Sequence, residues 1–117
     1  MPITVTRAFG QNDRNHATML RIIKDLPAQH ELHSVLGQWH ATPDKFDLWL
    51  GVFNERVVGF TLVKGSDIEA IAVHGATRGR GVGHRMLTLV IQQYGAYSLK
   101  LVSPQGLFKV LFDETQQ

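Results

Sequence analysis

One segment constrains the fold of this chain more than any other. The apolar run "DIEAIAV" at residues 67–73 is followed at once by the glycine-rich stretch "HGATRGRGVG" and then by a helical pattern. A short apolar run rich in β-formers predicts a buried strand. The pattern after the glycines predicts a helix, because its apolar residues recur every three or four positions, at Val82, Met86, Leu89 and Val90. The segment therefore predicts a strand, a loop and a helix in that order.

The remaining apolar patterns predict strands that can share one sheet with this segment. Alternating residues predict a strand over residues 2–8 and a hairpin within residues 45–63 that turns at "FNER". A further strand is predicted over Ser98–Val102. Strands with helices packed across them predict an α/β or α+β fold, with a mixed, mostly antiparallel central sheet.

Two helices are predicted between the first strand and the hairpin. Asn12 or Asp13 can cap the first of them, and Pro27 stops it. The apolar face of this helix is predicted to consist of Ala17, Leu20, Ile23 and Leu26. The second helix is predicted to be short and to span His30–Gln38.

Composition limits the class of protein. The chain has 117 residues, 44% of them hydrophobic and 19% charged, which predicts a single globular domain over residues 1–117. Cysteine is absent, so we expect no disulfide or thiolate site, as suits a reducing cytoplasm. No signal-peptide pattern or membrane-length apolar run occurs in the sequence. A net charge of +2 is too weak to indicate nucleic-acid binding. We therefore expect a cytoplasmic protein without membrane or nucleic-acid partners.

The glycine-rich stretch has the chemistry of an anion site. A helix that begins near Gly81 exposes unpaired backbone N–H groups, and its dipole places partial positive charge there. Glycines allow close backbone approach, and Arg78 and Arg80 can donate charge-assisted hydrogen bonds to phosphate oxygens. The spacing fits neither the Walker nor the dinucleotide pattern. A glycine-rich turn with solvated arginines is the alternative interpretation.

The segment "IEAIAVHGATRGRGVGHRML" resembles the acyl-CoA-binding core of the GNAT superfamily of N-acetyltransferases. The resemblance implies that the loop holds the pyrophosphate of acetyl-CoA or CoA. It also implies that the strand backbone bonds the pantetheine arm as an added β-like partner. The cofactor-binding residues implied in this way are Ile71, Ala72, Val73, Arg78, Gly79, Arg80, Gly81, Val82, Gly83 and His84.

A narrower resemblance lies within that superfamily. "VFNERVVGF" and "ATRGRGVG" are similar to segments of the small maturation factors of aspartate 1-decarboxylase, the PanZ/PanM family. The resemblance implies a regulatory protein that, with acetyl-CoA or CoA bound, promotes self-cleavage of the decarboxylase precursor in the pantothenate pathway. It marks Asn54, Glu55 and Arg56 as partner contacts. Gly79 replaces an arginine of the family pattern, and Val52 stands where another arginine is expected.

The alternative function is that of an acetyltransferase acting on an amine. Glu69 is the candidate general base, and the Val73 amide would polarise the thioester carbonyl. The tyrosine that serves as acid in many such enzymes has no clear match, since Phe108 stands near that place and the chain ends soon afterwards. Tyr94 and Tyr97 are possible acids but are interpreted as packing residues. These features favour a binding protein with a shortened C-terminus over an enzyme.

Several histidines and tryptophans are further candidate functional residues, but we interpret most of them as structural. His30, His33 and His40 lack the spacing of a metal site, so no metal is expected. Trp39 and Trp49 are expected in the core or at an interface. His74 and His84 flank the glycine-rich stretch and are equally well explained as phosphate contacts or as ordinary loop and helix-start residues. These seven positions therefore add no second function.

Overall fold

The computed structural model describes residues 3–10, 12–24, 31–65, 67–74, 81–94 and 100–101. Within them, the strands are β1 (Thr4–Ala8), β2 (Asp47–Phe53), β3 (Arg56–Lys64), β4 (Asp67–Val73) and β5 (Lys100–Leu101). The helices are α1 (Asn12–Ile22), α2 (Glu31–Ala41) and α3 (Val82–Tyr94), and a short 3-10 turn, Pro43–Lys45, precedes β2.

The strands form one sheet in the order β1-β2-β3-β4-β5. The first four are antiparallel to their neighbours, whereas β5 runs parallel to β4. A parallel neighbour requires a crossover, and α3 provides it between β4 and β5. The predicted α/β fold with a mixed, mostly antiparallel sheet is therefore confirmed. Of the predicted strand Ser98–Val102, the structure describes only β5.

Helices cover both faces of the sheet and create two apolar layers. The layer beneath α3 contains Ile71, Val73, Val82, Met86, Leu87, Val90 and Ile91 among its buried side chains. The layer beneath α1 and α2 contains Met19, Ile22, Ile23, Leu36, Trp39, Phe60, Leu62, Ala70 and Ala72. Successive residues of a strand point to opposite faces, which is why neighbours in β4 divide between the two layers.

Helix α1 turns a different face to the core from the one that its sequence predicts. Ala17 is exposed and Leu20 is 40% exposed, whereas Met19 and Ile22 are buried. Burying Met19 and Ile22 removes more apolar surface from water than burying Ala17 and Leu20 would, so the helix is rotated accordingly. Ile23 is buried as predicted. The predicted positions Leu26 and Pro27 lie outside the described residues.

Helix α2 extends beyond its predicted end. It continues to Ala41, and its buried residues follow helical spacing at Leu32, Val35, Leu36 and Trp39. The predicted first residue, His30, lies outside the described part of the chain. No helix among the described residues has both the length and the apolar character needed to cross a membrane.

The predicted hairpin joins β2 to β3 through a turn of two residues. Asn54 and Glu55 occupy this turn with φ angles of +52° and +65°. Two successive left-handed residues match the type I′ turn, whose twist suits the right-handed twist of the flanking strands. Asparagine adopts this conformation readily, but glutamate does so at a cost of roughly 1 kcal/mol.

Candidate functional site

The C-terminal half of β4 provides an edge that faces away from β3. The His74 N–H donates to the Val58 carbonyl over 2.7 Å, so the backbone of His74 faces β3. Because backbone direction alternates along an antiparallel strand, Ala72 also faces β3, whereas Ile71 and Val73 face the β5 side. The two residues predicted to bond an extended ligand therefore point to the same edge.

Strand β5 pairs with only the beginning of β4 in the described part of the chain. The described pairs are Asp67 with Lys100 and Ile68 with Leu101. Farther along β4, Ile71 and Val73 belong to the stretch that leads to the glycine-rich loop. An extended ligand beside that stretch would continue the sheet where the described pairing stops.

Helix α3 begins directly after the glycine-rich loop. Gly81 has a φ angle of +78°, and its carbonyl accepts the first helical hydrogen bond from the Arg85 N–H over 3.0 Å. Only glycine adopts this left-handed conformation without strain, so the chain requires glycine here. Val82, Gly83 and His84 form the first turn, which the structure describes in full and which carries no carboxylate.

This helix start can hold an anion. The N–H groups of the first turn lack helical partners, and the helix dipole favours negative charge beside them. Val82 is buried and anchors the turn, while His84 is exposed. The other predicted contacts, Arg78, Gly79 and Arg80, lie outside the described residues, and their roles stay predictions.

Two glycines determine how closely α3 approaches the sheet. Gly51 of β2 and Gly59 of β3 are paired across the strands, and both lie under the Met86 side chain. A Cβ atom at position 51 would come within 2.6 Å of the Met86 Sδ, and one at position 59 would come within 3.0 Å of it. The absence of side chains at both glycines thus leaves a notch in which the Met86 side chain packs. This packing brings the start of α3 towards the end of β4.

Glu69 is the extra residue of a β-bulge. Leu62 pairs with Ala70 and Val63 pairs with Ile68, so no β3 residue stands opposite Glu69. Bulges re-aim side chains and are common beside active sites. The Glu69 side chain is half-buried. Its role as a general base stays a prediction.

The hairpin turn and a cleft lie at the same end of the sheet as the last residues of β4. Asn54, Glu55 and Arg56 are all exposed, as a docking surface requires. Beside them is a cleft of about 540 Å³ that Asn54 and Arg56 help to line. His74, the residue after β4, lines the same cleft. The predicted partner contacts are therefore next to the end of the predicted CoA-binding strand.

Tyr94 lies at the other end of α3, where it closes a polar network. Its hydroxyl donates to Asp47 Oδ2 over 2.5 Å and accepts a hydrogen bond from Trp49 Nε1 over 2.9 Å. Arg7 bonds the other oxygen of Asp47 over 2.5 Å. Burial, followed by the hydrogen bond to Asp47, raises the pKa of Tyr94 to about 12. Tyr94 is therefore a structural residue, as the sequence suggested, and Tyr97 lies outside the described residues.

The sequence did not reveal this network because its members come from three distant segments. Asp47 begins β2, Arg7 belongs to β1 and Tyr94 ends α3. Their separations of 40 and 47 residues leave no local pattern. The tertiary fold alone brings them together.

His40 interacts with both Asp13 and His16. His40 Nε2 lies 2.9 Å from Asp13 Oδ1, and the His40 and His16 rings stack at 4.1 Å between centroids. His33 is half-buried, with a buried Nε2 that has no hydrogen-bond partner. No group of three or more histidine or acidic side chains that could hold a metal occurs among the described residues. Trp39 is buried as predicted.

Several solved acetyltransferases have a similar architecture. The ribosomal-protein-alanine N-acetyltransferase of Brucella melitensis biovar Abortus 2308 superposes with a TM-score of 0.68 at 12% identity, over 97% of this chain and 89% of that one. A Bacillus subtilis acetyltransferase in complex with CoA gives 0.67 at 10% identity, over 97% and 75%. An Elizabethkingia anophelis GNAT family acetyltransferase with acetyl-CoA bound gives 0.53 at 18% identity, over 78% and 56%. Sequence identities this low show only that the folds are similar.

Sequence comparison identifies the family. A search of curated proteins gave no match. The family model of the acetyltransferase (GNAT) family matches residues 15–103, which include α1 from its fourth residue onward and the whole of α2, β2, β3, β4, α3 and β5. Since that match covers well over half of its residues, this chain belongs to the GNAT acetyltransferase family.

Proposed function

We propose that this protein binds acetyl-CoA or CoA and, in that complex, promotes self-cleavage of the aspartate 1-decarboxylase precursor. Family membership and the geometry of β4 and α3 support the first part. The pantetheine arm would lie along the β5 side of β4 at Ile71 and Val73, and the pyrophosphate would meet the α3 N-terminus at Gly81. Two solved proteins of the same fold hold CoA or acetyl-CoA.

The hairpin turn is the single observation that carries the partner assignment. Glu55 is exposed at the turn and has a left-handed backbone that glycine would adopt without strain. Keeping a glutamate there costs roughly 1 kcal/mol. Backbone strain of this kind is concentrated at functional sites. Together with the resemblance of "VFNERVVGF" to the maturation factors, it supports Asn54, Glu55 and Arg56 as partner contacts.

The placement of Tyr94 favours binding over turnover. An acetyltransferase that uses a tyrosine as acid needs its hydroxyl near the thioester sulfur. The Tyr94 hydroxyl is instead bonded to Asp47 and Trp49, at the end of α3 that lies farthest from Gly81. A pKa of about 12 also makes it a poor proton donor near neutral pH.

The bulge at Glu69 favours a second candidate, an N-acetyltransferase. In this reaction the amine nitrogen attacks the thioester carbonyl, the C–S bond breaks, and the thiolate leaves and is protonated. Glu69 would take the proton from the amine. Its half-buried position in the strand that carries the CoA-binding edge is consistent with that role.

The cofactor part is tested by a matched pair of glycine variants. Gly81→Ala and Gly65→Ala place the same methyl group at φ angles of +78° and +65°, and neither Cβ meets another atom within 4 Å. Both variants should lose roughly 1 kcal/mol of stability through backbone strain. Calorimetric titration with CoA should show weaker binding for Gly81→Ala alone. Equal affinity in the two variants would reject the assignment of the α3 N-terminus.

The partner part is tested by mixing the protein with decarboxylase precursor and following chain cleavage by mass spectrometry, with and without acetyl-CoA. Cleavage should require both the protein and acetyl-CoA. Asn54→Gly and Glu55→Gly remove the side chains but keep the left-handed backbone, so they should slow cleavage without weakening CoA binding. Gln92→Ala, an exposed change on α3, is the control.

The same assay separates the two candidate functions. If the precursor is neither bound nor cleaved while CoA binds normally, the maturation role is wrong. Transfer of an acetyl group to an amine, abolished in Glu69→Gln, would then support the enzyme.

A further inference from the structure

The cleft beside the hairpin turn combines an apolar wall with positive charge. Its volume is about 540 Å³, which lies within the range of small-molecule sites. The described residues that line it are Arg21, Phe53, Asn54, Arg56, Val57, Val58 and His74. They come from α1, from both arms of the hairpin, and from the end of β4.

The charged groups in the described lining are all cationic. They are Arg21 and Arg56, and no carboxylate occurs among the described lining residues. The Arg21 Nη2 donates to the Val57 carbonyl over 3.2 Å, which fixes the guanidinium at the wall and leaves other N–H donors for a ligand. A carboxylate is the group that best fits such donors.

The apolar part of the lining calls for a hydrophobic body on that ligand. Phe53, Val57 and Val58 are the apolar residues of the described lining. A fully hydrated ion such as phosphate would leave this apolar surface unused. A ligand with a carboxylate at one end and an aromatic or aliphatic body satisfies both features.

The cleft lies apart from the proposed CoA site. The sheet order places β3 and β5 on opposite sides of β4. The cleft is on the β3 side, where Val57 and Val58 begin that strand, whereas Ile71 and Val73 face β5. CoA in its proposed position therefore does not need this cleft.

We propose that the cleft binds a small amphipathic carboxylate, distinct from CoA, through Arg21 and Arg56. The apolar body of the ligand packs against Phe53 and Val58, and its carboxylate accepts hydrogen bonds from the two guanidinium groups. This site is a second ligand site of the protein and does not depend on either proposed function.

A pair of probes tests the requirement for charge. 4-Phenylbutyrate has a carboxylate on an apolar body, and 4-phenylbutanamide is its neutral analogue. In a titration followed by amide chemical shifts, 4-phenylbutyrate should saturate and should shift Val57, Val58 and His74. The neutral amide should bind at least about tenfold more weakly, because it cannot form charge-assisted hydrogen bonds. Equal affinity of the two probes would overturn the proposal.

Matched variants test the two arginines. Arg21→Gln and Arg56→Gln should each weaken 4-phenylbutyrate binding about tenfold, the effect of losing one charge-assisted hydrogen bond. Lys45→Gln removes an exposed charge outside the cleft and should leave the affinity unchanged. The amide spectrum of each variant shows whether it is folded. Unchanged affinity in both folded arginine variants would contradict the site.

Saturating CoA separates this cleft from the cofactor site. The shifts caused by 4-phenylbutyrate should persist when CoA is bound, because the two ligands occupy opposite sides of β4. Complete displacement by CoA would show that the cleft is part of the CoA site and would overturn the proposal. If the protein binds no CoA, the proposed function fails, and the probe and variant results still decide whether the cleft is a carboxylate site.

Discussion

The glycine pair beneath α3 gives a prediction whose size follows from the structure. A Cβ atom added at Gly59 would lie 2.7 Å from the Ala72 carbonyl oxygen, which belongs to the backbone of β4. One added at Gly51 would lie 2.6 Å from the Met86 Sδ, part of a flexible side chain. Backbone in the middle of a sheet cannot move as a methionine can. Gly59→Ala should therefore be the more damaging change.

Overpacking of a well-packed interior costs about 1–3 kcal/mol. We expect Gly59→Ala near the upper end, about 2–3 kcal/mol, because the strands must separate. Gly51→Ala should cost about 1 kcal/mol, because Met86 can change rotamer and alanine is itself more favourable than glycine in a strand. Urea unfolding of both variants gives the two free energies, and the Tm should fall by roughly 4–8 °C for each kcal/mol.

A double-mutant cycle with Met86→Ala tests the cause. Shortening Met86 removes the atom that a Cβ at position 51 would meet, so the cost of Gly51→Ala should almost vanish in that background. The cost of Gly59→Ala should largely remain, because the Ala72 carbonyl is unchanged. If Gly59→Ala costs no more than Gly51→Ala, or if Met86→Ala rescues it fully, the proposed basis of the close approach is wrong.

Two further predictions concern titratable groups. Tyr94→Phe removes a donor to Asp47 and an acceptor for Trp49, so it should lower the free energy of unfolding in urea by about 1–3 kcal/mol. The difference between the ultraviolet titrations of wild type and variant should show a tyrosine with a pKa of about 12. Burial, followed by the charge of His40, lowers the pKa of His16 below 6.5, so the unfolded chain binds a proton there more readily than the folded protein. The contribution of His16 to stability should be complete above pH 6.5 and should diminish as the pH falls through 6.5 and towards the folded pKa. His16→Gln should make unfolding free energy less dependent on pH over that window, and an unchanged pH profile would contradict this.

Local patterns predicted most of the strands and helices. The hairpin follows from alternating apolar residues, and α3 follows from apolar residues three or four positions apart. Both patterns involve near neighbours in sequence, so they can be recognised without knowledge of the tertiary structure. Part of the α1 face was predicted wrongly because Ala17 and Leu20 have the same spacing as Met19 and Ile22, which are buried instead. Only packing against α2 and β3 selects between two such faces.

Part of the candidate site could likewise be predicted from local sequence, whereas the rest required the tertiary structure. The glycine-rich stretch predicted an anion site from sequence alone, because glycine and arginine have distinct local chemistry. Gly81, which directly precedes α3, has the left-handed backbone that only glycine adopts easily. The sequence could not indicate that Arg21 and Arg56 line one cleft. Both line it because α1 packs against β3, where the Arg21 guanidinium donates to the Val57 carbonyl, 36 residues away in sequence.

The sequence by itself determined the order of strands and helices and the family to which the chain belongs, and it predicted where an anion would bind. Those properties depend on residue type and on spacing within one turn or one strand. The tertiary structure alone decided the rotation of α1, the packing of Met86 against Gly51 and Gly59, the hydrogen bonds of Tyr94 to Asp47 and Trp49, and the basic cleft. Each of these depends on which distant surfaces pack together, and that choice is made by the burial of the whole core and not by any local pattern.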